Sequence, residues 1–207
     1  MGRMDKNAAL LDRFAALPEA PGTGVGEALL RCWSEPHRRY HTRAHLAAVL
    51  DRLDELTAAG EGGRVRPVAL AAWCHDAVYD PRAPDNEERS ARLAEALLDA
   101  DPDRDEVARL VRLTADHAPA DGDANGAALC DADLAVLAGP PEAYAAYAAE
   151  VRQEYGFVPD ADFRAGRAEV LRQLLVAPRL FRTDYGAGRW ESTARFNVRS
   201  ELRLLTG

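Results

Sequence analysis

The segment PVALAAWCHDAVY, residues 67–79, decides the fold, because it predicts a helix that is buried on nearly every side. A proline opens it and Asp80-Pro81 would end it. Its apolar residues occur all round the helix, which is typical of a helix in the middle of a helical protein. Two ionisable residues, His75 and Asp76, stand in this apolar segment. Ionisable groups taken out of water are costly unless they are hydrogen-bonded or bound to an ion, so the pair predicts a metal ligand set.

Helical periodicity continues along the rest of the chain, and no stretch shows sustained period-2 alternation. We expect Asp85 and Glu88 to form a capping box and residues 118–126 to form a loop. The predicted helices cover about 46–60, 67–79, a stretch after Asp85, a stretch after Asp101-Pro102, about 127–138, a stretch around Tyr144 to Tyr155, a stretch around Val170 to Leu175, and about 191–205. The fold class is therefore all-α: a single-domain helical bundle over residues 1–207, with its core at about 36–205 and residues 1–7 as candidates for disorder.

Composition excludes several classes of protein. The chain has 207 residues, 47% of them hydrophobic and 29% charged, which is ordinary for a globular domain. We find no apolar run near the roughly 20 residues needed to span a bilayer and no signal peptide, and we expect a cytoplasmic protein with no membrane partner. The net charge of -8 disfavours nucleic acid as a partner. Three widely separated cysteines form neither a disulfide framework nor a zinc ribbon.

Two further parts of the chain place ionisable groups on predicted inner faces. His41 and His45 lie four residues apart and share a helix face, with His45 at the edge of the apolar stripe. Asp133 falls on the stripe formed by its apolar neighbours, where a carboxylate is uncommon without a partner. Asp131 projects elsewhere and is the alternative carboxylate, better suited to a capping or outer role.

Three predicted helices thus direct His45, then His75 and Asp76, then Asp133 towards the interior. Two imidazoles and two carboxylates leave coordination positions for water and substrate, and the two carboxylates balance a divalent charge. Such a mixed set suits Mn, Fe, Co, Ni or Zn better than Ca, and Mg remains possible. We therefore expect one divalent metal ion. Such an ion activates water and polarises phosphoryl oxygens, which is the physical basis for hydrolysing a phosphate ester.

The motif pieces in this order resemble the HD superfamily of metal-dependent phosphohydrolases, and in particular a small branch of predicted phosphohydrolases that are uncharacterised. The pieces are YHTRAH at 40–45, HDAVYD at 75–80, NEERS at 86–90 and DADLAVL at 131–137. The similarity covers roughly residues 36–205. The resemblance implies a helical bundle of the HD-domain type with a central metal held by His45, His75, Asp76 and Asp133, and often activity on nucleotides or phosphodiesters.

Several other residues are candidates for supporting roles, each with a simpler structural alternative. Asp76 is a candidate catalytic residue as well as a candidate ligand. His117 is a candidate general acid or a buried hydrogen-bonded histidine. Asp80 is a candidate general base or a helix stop. The candidates for contact with substrate or with the ligands are His41, Arg43, Glu87 and Asp131. The candidate phosphate clamps are Arg38, Arg39, Arg43 and Arg82.

Three functions remain open from the sequence. The first is a hydrolase acting on a small phosphorylated substrate, a nucleotide or another small molecule, which can be either a monoester or a diester. The second is a non-catalytic nucleotide-binding or sensor module with the same pocket. The third is a metal-dependent oxygenase with two irons, which needs more histidines than the chain shows between His75 and Asp133. A second ion would have to use His41 and His117.

Overall fold

A computed structural model describes residues 2–207, with side chains from Asn7 onward. Within these residues the chain forms eleven α-helices and one 3-10 turn, and it forms no strand. The elements are α1 Gly2–Ala15, α2 Thr23–Cys32, α3 Arg43–Ala58, α4 Val65–Cys74, α5 Asn86–Leu97, α6 Arg104–Leu113, α7 Ala124–Leu134, the 3-10 turn Ala135–Ala138, α8 Pro141–Glu154, α9 Asp160–Val176, α10 Asp184–Arg189 and α11 Glu191–Thr206. The prediction of an all-α fold is confirmed.

Helix α4 lies at the centre of the fold. It packs against α3, α5, α6 and α7, and every residue from Pro67 to Cys74 is buried. This is the burial that its apolar composition predicts. Helices α3, α4 and α7 also pack against one another, so the three segments that carry the candidate ligands are direct neighbours.

The prediction that the central helix reaches Tyr79 is wrong. The helix ends at Cys74, and His75 is its C-cap with φ -57° and ψ -39°. The backbone then leaves the helix because other parts of the chain bind its freed groups: Arg38 donates to the carbonyls of Asp76 and Ala77, at 2.7 and 3.0 Å. No pattern local to residues 67–79 records these partners.

Three smaller predictions about helix ends also fail. The Asp85 side chain makes no capping hydrogen bond, and Glu88 instead bonds to arginine side chains, so there is no capping box. Helix α6 begins at Arg104 rather than near Asp101, whose carboxylate binds Arg66. Helix α7 begins inside the predicted loop, at Ala124, because the Asp123 side chain accepts the N–H of Gly126.

Helices α1, α2 and α10 were not among the predicted helices. Helices α1 and α2 pack on each other and reach the centre through aromatic contacts. The Phe14 and Trp73 rings meet edge to face at 5.0 Å, and Trp33 Nε1 donates to the carbonyl of Trp73 at 2.8 Å. These contacts connect the first thirty residues to α4.

One cluster of buried apolar side chains extends from Leu10 in α1 to Val198 in α11. Among the described residues, none of the helices combines the length and the apolar character that a bilayer crossing requires. Of the seven residues considered as candidates for disorder, Met1 lies outside the described residues, as do the side chains of 2–6; the backbone from Gly2 belongs to α1.

Two glycines of α2 provide a matched test of the α1–α2 packing. A Cβ on Gly26 would lie 2.7 Å from Cδ1 of the buried Phe14, whereas nothing lies within 4 Å of a Cβ on Gly24. We expect Gly26→Ala to lower the free energy of unfolding by about 1–2 kcal/mol through overpacking. Gly24→Ala should raise it by up to about 1 kcal/mol through helix propensity. Urea denaturation followed by circular dichroism measures both; equal effects would contradict this packing.

Candidate metal centre

His75 is held so that one ring nitrogen faces the interior of the site. Its Nδ1 lies 2.9 Å from the carbonyl oxygen of Ala72, which can only accept, so Nδ1 carries a hydrogen and donates it. In the neutral ring Nε2 then presents a lone pair. That lone pair faces Nε2 of His45, 3.3 Å away.

His45 comes from α3 and is held by a phenol. Its Nδ1 lies 3.0 Å from Oη of Tyr40, which can accept the Nδ1 hydrogen and leave the Nε2 lone pair facing His75. Burial raises the pKa of Tyr40 far above its ordinary value, so the phenol stays neutral. Burial also lowers the pKa of His45, outweighing its bond to Asp133, and this favours the neutral imidazole.

Two carboxylates complete the cluster. Asp76 Oδ2 lies 3.1 Å from Nε2 of His75 and 3.8 Å from Nε2 of His45. Asp133 Oδ1, from α7, lies 3.0 Å from Nε2 of His45 and 3.6 Å from Nε2 of His75. The structure therefore brings together all four residues expected as metal ligands, and His45, His75 and Asp76 satisfy the geometry of a possible metal-binding group.

These separations match the spacing of ligands around one small cation. Ligand atoms about 2.1 Å from a metal lie about 3.0 Å apart when they subtend a right angle and about 3.4 Å apart at tetrahedral angles. The cluster has a closed side and an open side: the side chains of His45 and His75 are 3% and 1% exposed, whereas those of Asp76 and Asp133 are 13% and 15% exposed. Water and a ligand can therefore approach from the carboxylate side.

The electrostatics of the cluster favour a positive charge at its centre. Burial acts to lower the pKa of His75, but the charges of Asp76 and Asp133 outweigh it and raise the pKa well above its usual value. Burial acts to raise the pKa of both carboxyl groups, and the neighbouring imidazoles, above all His75, lower it further than burial raises it. A proton on His75 or a bound cation can each supply this charge.

His41 and Glu154 form a second layer beside the cluster. His41 Nδ1 lies 2.6 Å from Glu154 Oε2, its ring stacks on Tyr79 at 4.1 Å, and its Nε2 lies 3.9 Å from Asp76 Oδ2. The second oxygen of Glu154 accepts the backbone N–H groups of residues 39, 40 and 41, at 2.8 to 2.9 Å. Glu154 thus fixes both the turn before α3 and the orientation of the His41 ring.

Glu154 is the site residue that the sequence analysis missed. It lies on the same side of α8 as Tyr147 and Val151, so it is a carboxylate on an apolar stripe, the signal that identified Asp133. Burial acts to raise the pKa of Glu154, but the hydrogen bond and charge of His41 together with the backbone donors lower it to about 2. The carboxylate is therefore ionised and fully used as an acceptor.

His117 lies beyond the end of α6, not on its inner face as predicted. Its backbone has φ +51°, a left-handed conformation that favours glycine. Its Nε2 lies 2.8 Å from Oδ2 of Asp133, the oxygen that does not face His45. A non-glycine residue in strained backbone at a ligand contact indicates that the side chain has a role there.

Asp131 lies outside the cluster. Its oxygens accept the backbone N–H groups of Arg182 and Thr183, at 2.7 and 2.8 Å, and the hydroxyl of Thr183, at 2.6 Å. It is buried and holds the segment that leads into α10, so between the two candidate carboxylates only Asp133 faces the histidines.

The remaining candidates contact other parts of the protein. The Arg43 side chain bonds to Asn7 of α1, and the Asp80 carboxylate accepts the N–H of Arg82 within its own turn. Glu87 lies in the first turn of α5, and among the described residues no hydrogen bond or ion pair joins it to the cluster. Of the proposed phosphate clamps, Arg38 is buried beneath the cluster and bound to backbone carbonyls.

The other three arginines are also engaged away from the ligand atoms. Arg39 bonds to carbonyls of its own turn, and Arg82 lies over the Phe157 ring at 4.1 Å.

Comparison of the chain with protein-family models, with curated proteins and with solved structures gave no match. The case for a function therefore rests on the geometry of the cluster.

Alanine at the two neighbouring aspartates should separate stability from metal binding. Asp131→Ala leaves three hydrogen-bond donors, two of them buried, without their acceptor and should lower the free energy of unfolding by about 3 kcal/mol, with metal affinity unchanged. Asp133→Ala removes a candidate ligand and should weaken Mn²⁺ binding at least about tenfold. Chemical denaturation and calorimetric Mn²⁺ titration measure the two effects. The reverse pattern would identify Asp131 as the ligand.

The lowered pKa of Glu154 predicts a contribution to stability that depends on pH. Because the pKa is about 2 in the folded protein and about 4.3 when unfolded, the contribution is present above about pH 4.3 and is lost as pH falls towards 2. Glu154→Gln should lower the free energy of unfolding by about 3 kcal/mol at pH 7. It should also reduce the fall in this free energy between pH 4.3 and 2.

Unfolding curves over this pH range test the Glu154 prediction. The exposed Glu169, whose carboxylate bonds only within α9, provides the matched control Glu169→Gln, which should retain the wild-type pH dependence. If the free energy of unfolding of Glu154→Gln fell between pH 4.3 and 2 as much as that of wild type, the Glu154 carboxylate would not be the cause of the pH dependence.

Proposed function

We propose that this protein is a metal-dependent phosphohydrolase of the HD superfamily type, acting on a small phosphate ester. The observation that carries the proposal is the convergence of four ligand atoms from α3, the end of α4 and α7. The two imidazole Nε2 atoms lie 3.3 Å apart, and one oxygen of each carboxylate lies 3.0 to 3.8 Å from both of them. The motif order His45, His75-Asp76, Asp133 supports the same assignment.

The donor set fits a divalent cation. With both histidines neutral and protonated on Nδ1, all four facing atoms are hydrogen-bond acceptors, and buried acceptors that face one another without a donor or a cation are unfavourable. Two carboxylate charges match a charge of +2, and the mixed nitrogen and oxygen set suits Mn, Fe, Co, Ni or Zn. His45, His75, Asp76 and Asp133 would hold the ion.

A divalent ion in this position supplies Lewis acidity, which lowers the pKa of water and polarises a phosphoryl oxygen. The residues around it orient the candidate ligands. His117 binds the outer oxygen of Asp133 and so directs its other oxygen inward. Tyr40 and the Ala72 carbonyl set the ring orientations of His45 and His75.

His41 is placed to donate a proton to the leaving oxygen of an ester. Its side chain is 22% exposed on the open side of the cluster, and Glu154 holds its Nδ1 so that Nε2 points towards Asp76 and that opening. Burial acts to lower the pKa of His41, but the charge of Asp76 and the bond to Glu154 raise it above its ordinary value. This favours the protonated ring, which is the form that a general acid needs.

A direct assay tests the proposal. Purified protein with Mn²⁺ should bind one ion per chain, measured by elemental analysis, and should release phosphate from a panel of aryl phosphates. Asp76→Asn should reduce release at least about 100-fold, since it removes a charged ligand beside the reacting group. Asp105→Asn, which changes a carboxylate 97% exposed on α6, should retain wild-type activity.

The outcomes separate the open alternatives. One bound ion with no turnover of any ester would favour the non-catalytic nucleotide-binding or sensor module. Two bound irons and oxygen consumption would favour the oxygenase. Equal phosphate release by wild type and Asp76→Asn would rule out a reaction at this cluster.

A further inference from the structure

A cavity of about 400 Å³ opens beside the cluster. It lies between α3 on one side and α8 on the other, with the end of α7 and the 3-10 turn beneath it. His45 and Asp133 form part of its wall, so a molecule in this cavity reaches the candidate ligands directly. Its volume is at the lower end of the range for small-molecule sites, about 300–1,000 Å³.

The walls of the cavity are apolar and small. Tyr40, Val49, Val136 and Tyr147 contribute aromatic and aliphatic surface. Six alanines complete the lining: Ala44, Ala48, Ala132, Ala135, Ala143 and Ala146. Since alanine fills little space, it is this run of short side chains on the facing helices that leaves the cavity open.

The charges in the cavity do not favour an anionic group in addition to the phosphate of the substrate. Apart from His45 and Asp133, its ionisable lining residues with a charge at neutral pH are Arg52 and Glu150. The Arg52 guanidinium bonds to the Glu55 carboxylate and lies 5.8 Å from the centre of the Trp190 ring. Arg52 is therefore paired within its own helix, while Glu150 adds a negative charge. A carboxylate or further phosphate in this cavity would meet negative charge without a free cation.

We propose that the cavity binds the organic group of the substrate and that this group is uncharged and mainly apolar. The inference rests on the proposed function, with the phosphate at the cluster. It specifies the substrate class as the phosphate ester of a small uncharged alcohol with one or two rings or an equivalent aliphatic group. Nucleoside diphosphates and triphosphates are disfavoured, because Arg52, the cation in the lining, is already paired with Glu55 and Glu150 repels their additional phosphates.

Binding of phosphonates, which cannot be hydrolysed, tests the proposal independently of turnover. Three probes are titrated calorimetrically into the Mn²⁺-loaded protein: methylphosphonate, phenylphosphonate and 4-carboxyphenylphosphonate. Burying a ring should make phenylphosphonate bind at least about tenfold more tightly than methylphosphonate. The added carboxylate should remove most of this advantage.

Filling the cavity should remove the preference for the ring. Ala143→Trp places a large side chain in the cavity from an exposed position on α8, where the core need not repack. It should abolish the phenyl advantage and leave methylphosphonate affinity unchanged. Ala145→Trp, on the same helix at an exposed position outside the cavity lining, is the matched control and should bind like wild type. Ala48→Phe fills the cavity from α3 and should reproduce Ala143→Trp.

The two proposals can fail separately. A phenyl preference that Ala143→Trp removes, in a protein that hydrolyses no ester, would support the cavity assignment and overturn the hydrolase. Hydrolysis of aryl phosphates with no phenyl preference, or with a preference that both cavity variants retain, would overturn the cavity assignment and leave the hydrolase standing. Failure of wild type to bind phenylphosphonate overturns the cavity assignment as well.

Discussion

With both histidines neutral and protonated on Nδ1, four hydrogen-bond acceptors face one another inside this protein, and that arrangement requires a positive charge between them. In this buried cluster, one oxygen each of Asp76 and Asp133 lies 3.0 to 3.8 Å from Nε2 of both His45 and His75, and the two Nε2 atoms lie 3.3 Å apart. Packing α3, α4 and α7 against one another would be unfavourable if these groups had no common partner. The core of the bundle and its candidate chemistry therefore depend on the same electrostatic balance.

The geometry of the cluster is set by groups that hold the backbone around it. Arg38 binds the carbonyls exposed where α4 ends, and Glu154 binds the N–H groups of the turn before α3. Both are charged side chains buried among backbone dipoles, where hydrogen bonds are strong because water is excluded. The turns that carry His41, His75 and Asp76 are thereby held rigid, as a metal or substrate site requires.

The open side of the cluster explains why a bound ion would also be reactive. The imidazoles of His45 and His75 are enclosed, whereas the carboxylates of the cluster and the side chains of His41 and His117 are partly exposed. His117 has a left-handed backbone conformation, and its Nε2 contacts the outer oxygen of Asp133. The adjoining alanine-lined cavity then gives this open site a place for the organic part of a ligand.

The sequence by itself determined the all-helical class, the burial of the segment after Pro67, and the four residues that converge, because period and residue type on a helix face are local properties. It also contained the signal for Glu154, which is a carboxylate on an apolar stripe. It did not determine where α4 ends or which way His117 points. The partner of the 74–79 turn is Arg38, roughly forty residues away in the chain, and the partner of the 39–41 turn is Glu154, more than a hundred residues away. Only the tertiary structure decided these features, since a buried backbone group ends or continues a helix according to which donor or acceptor the fold brings to it.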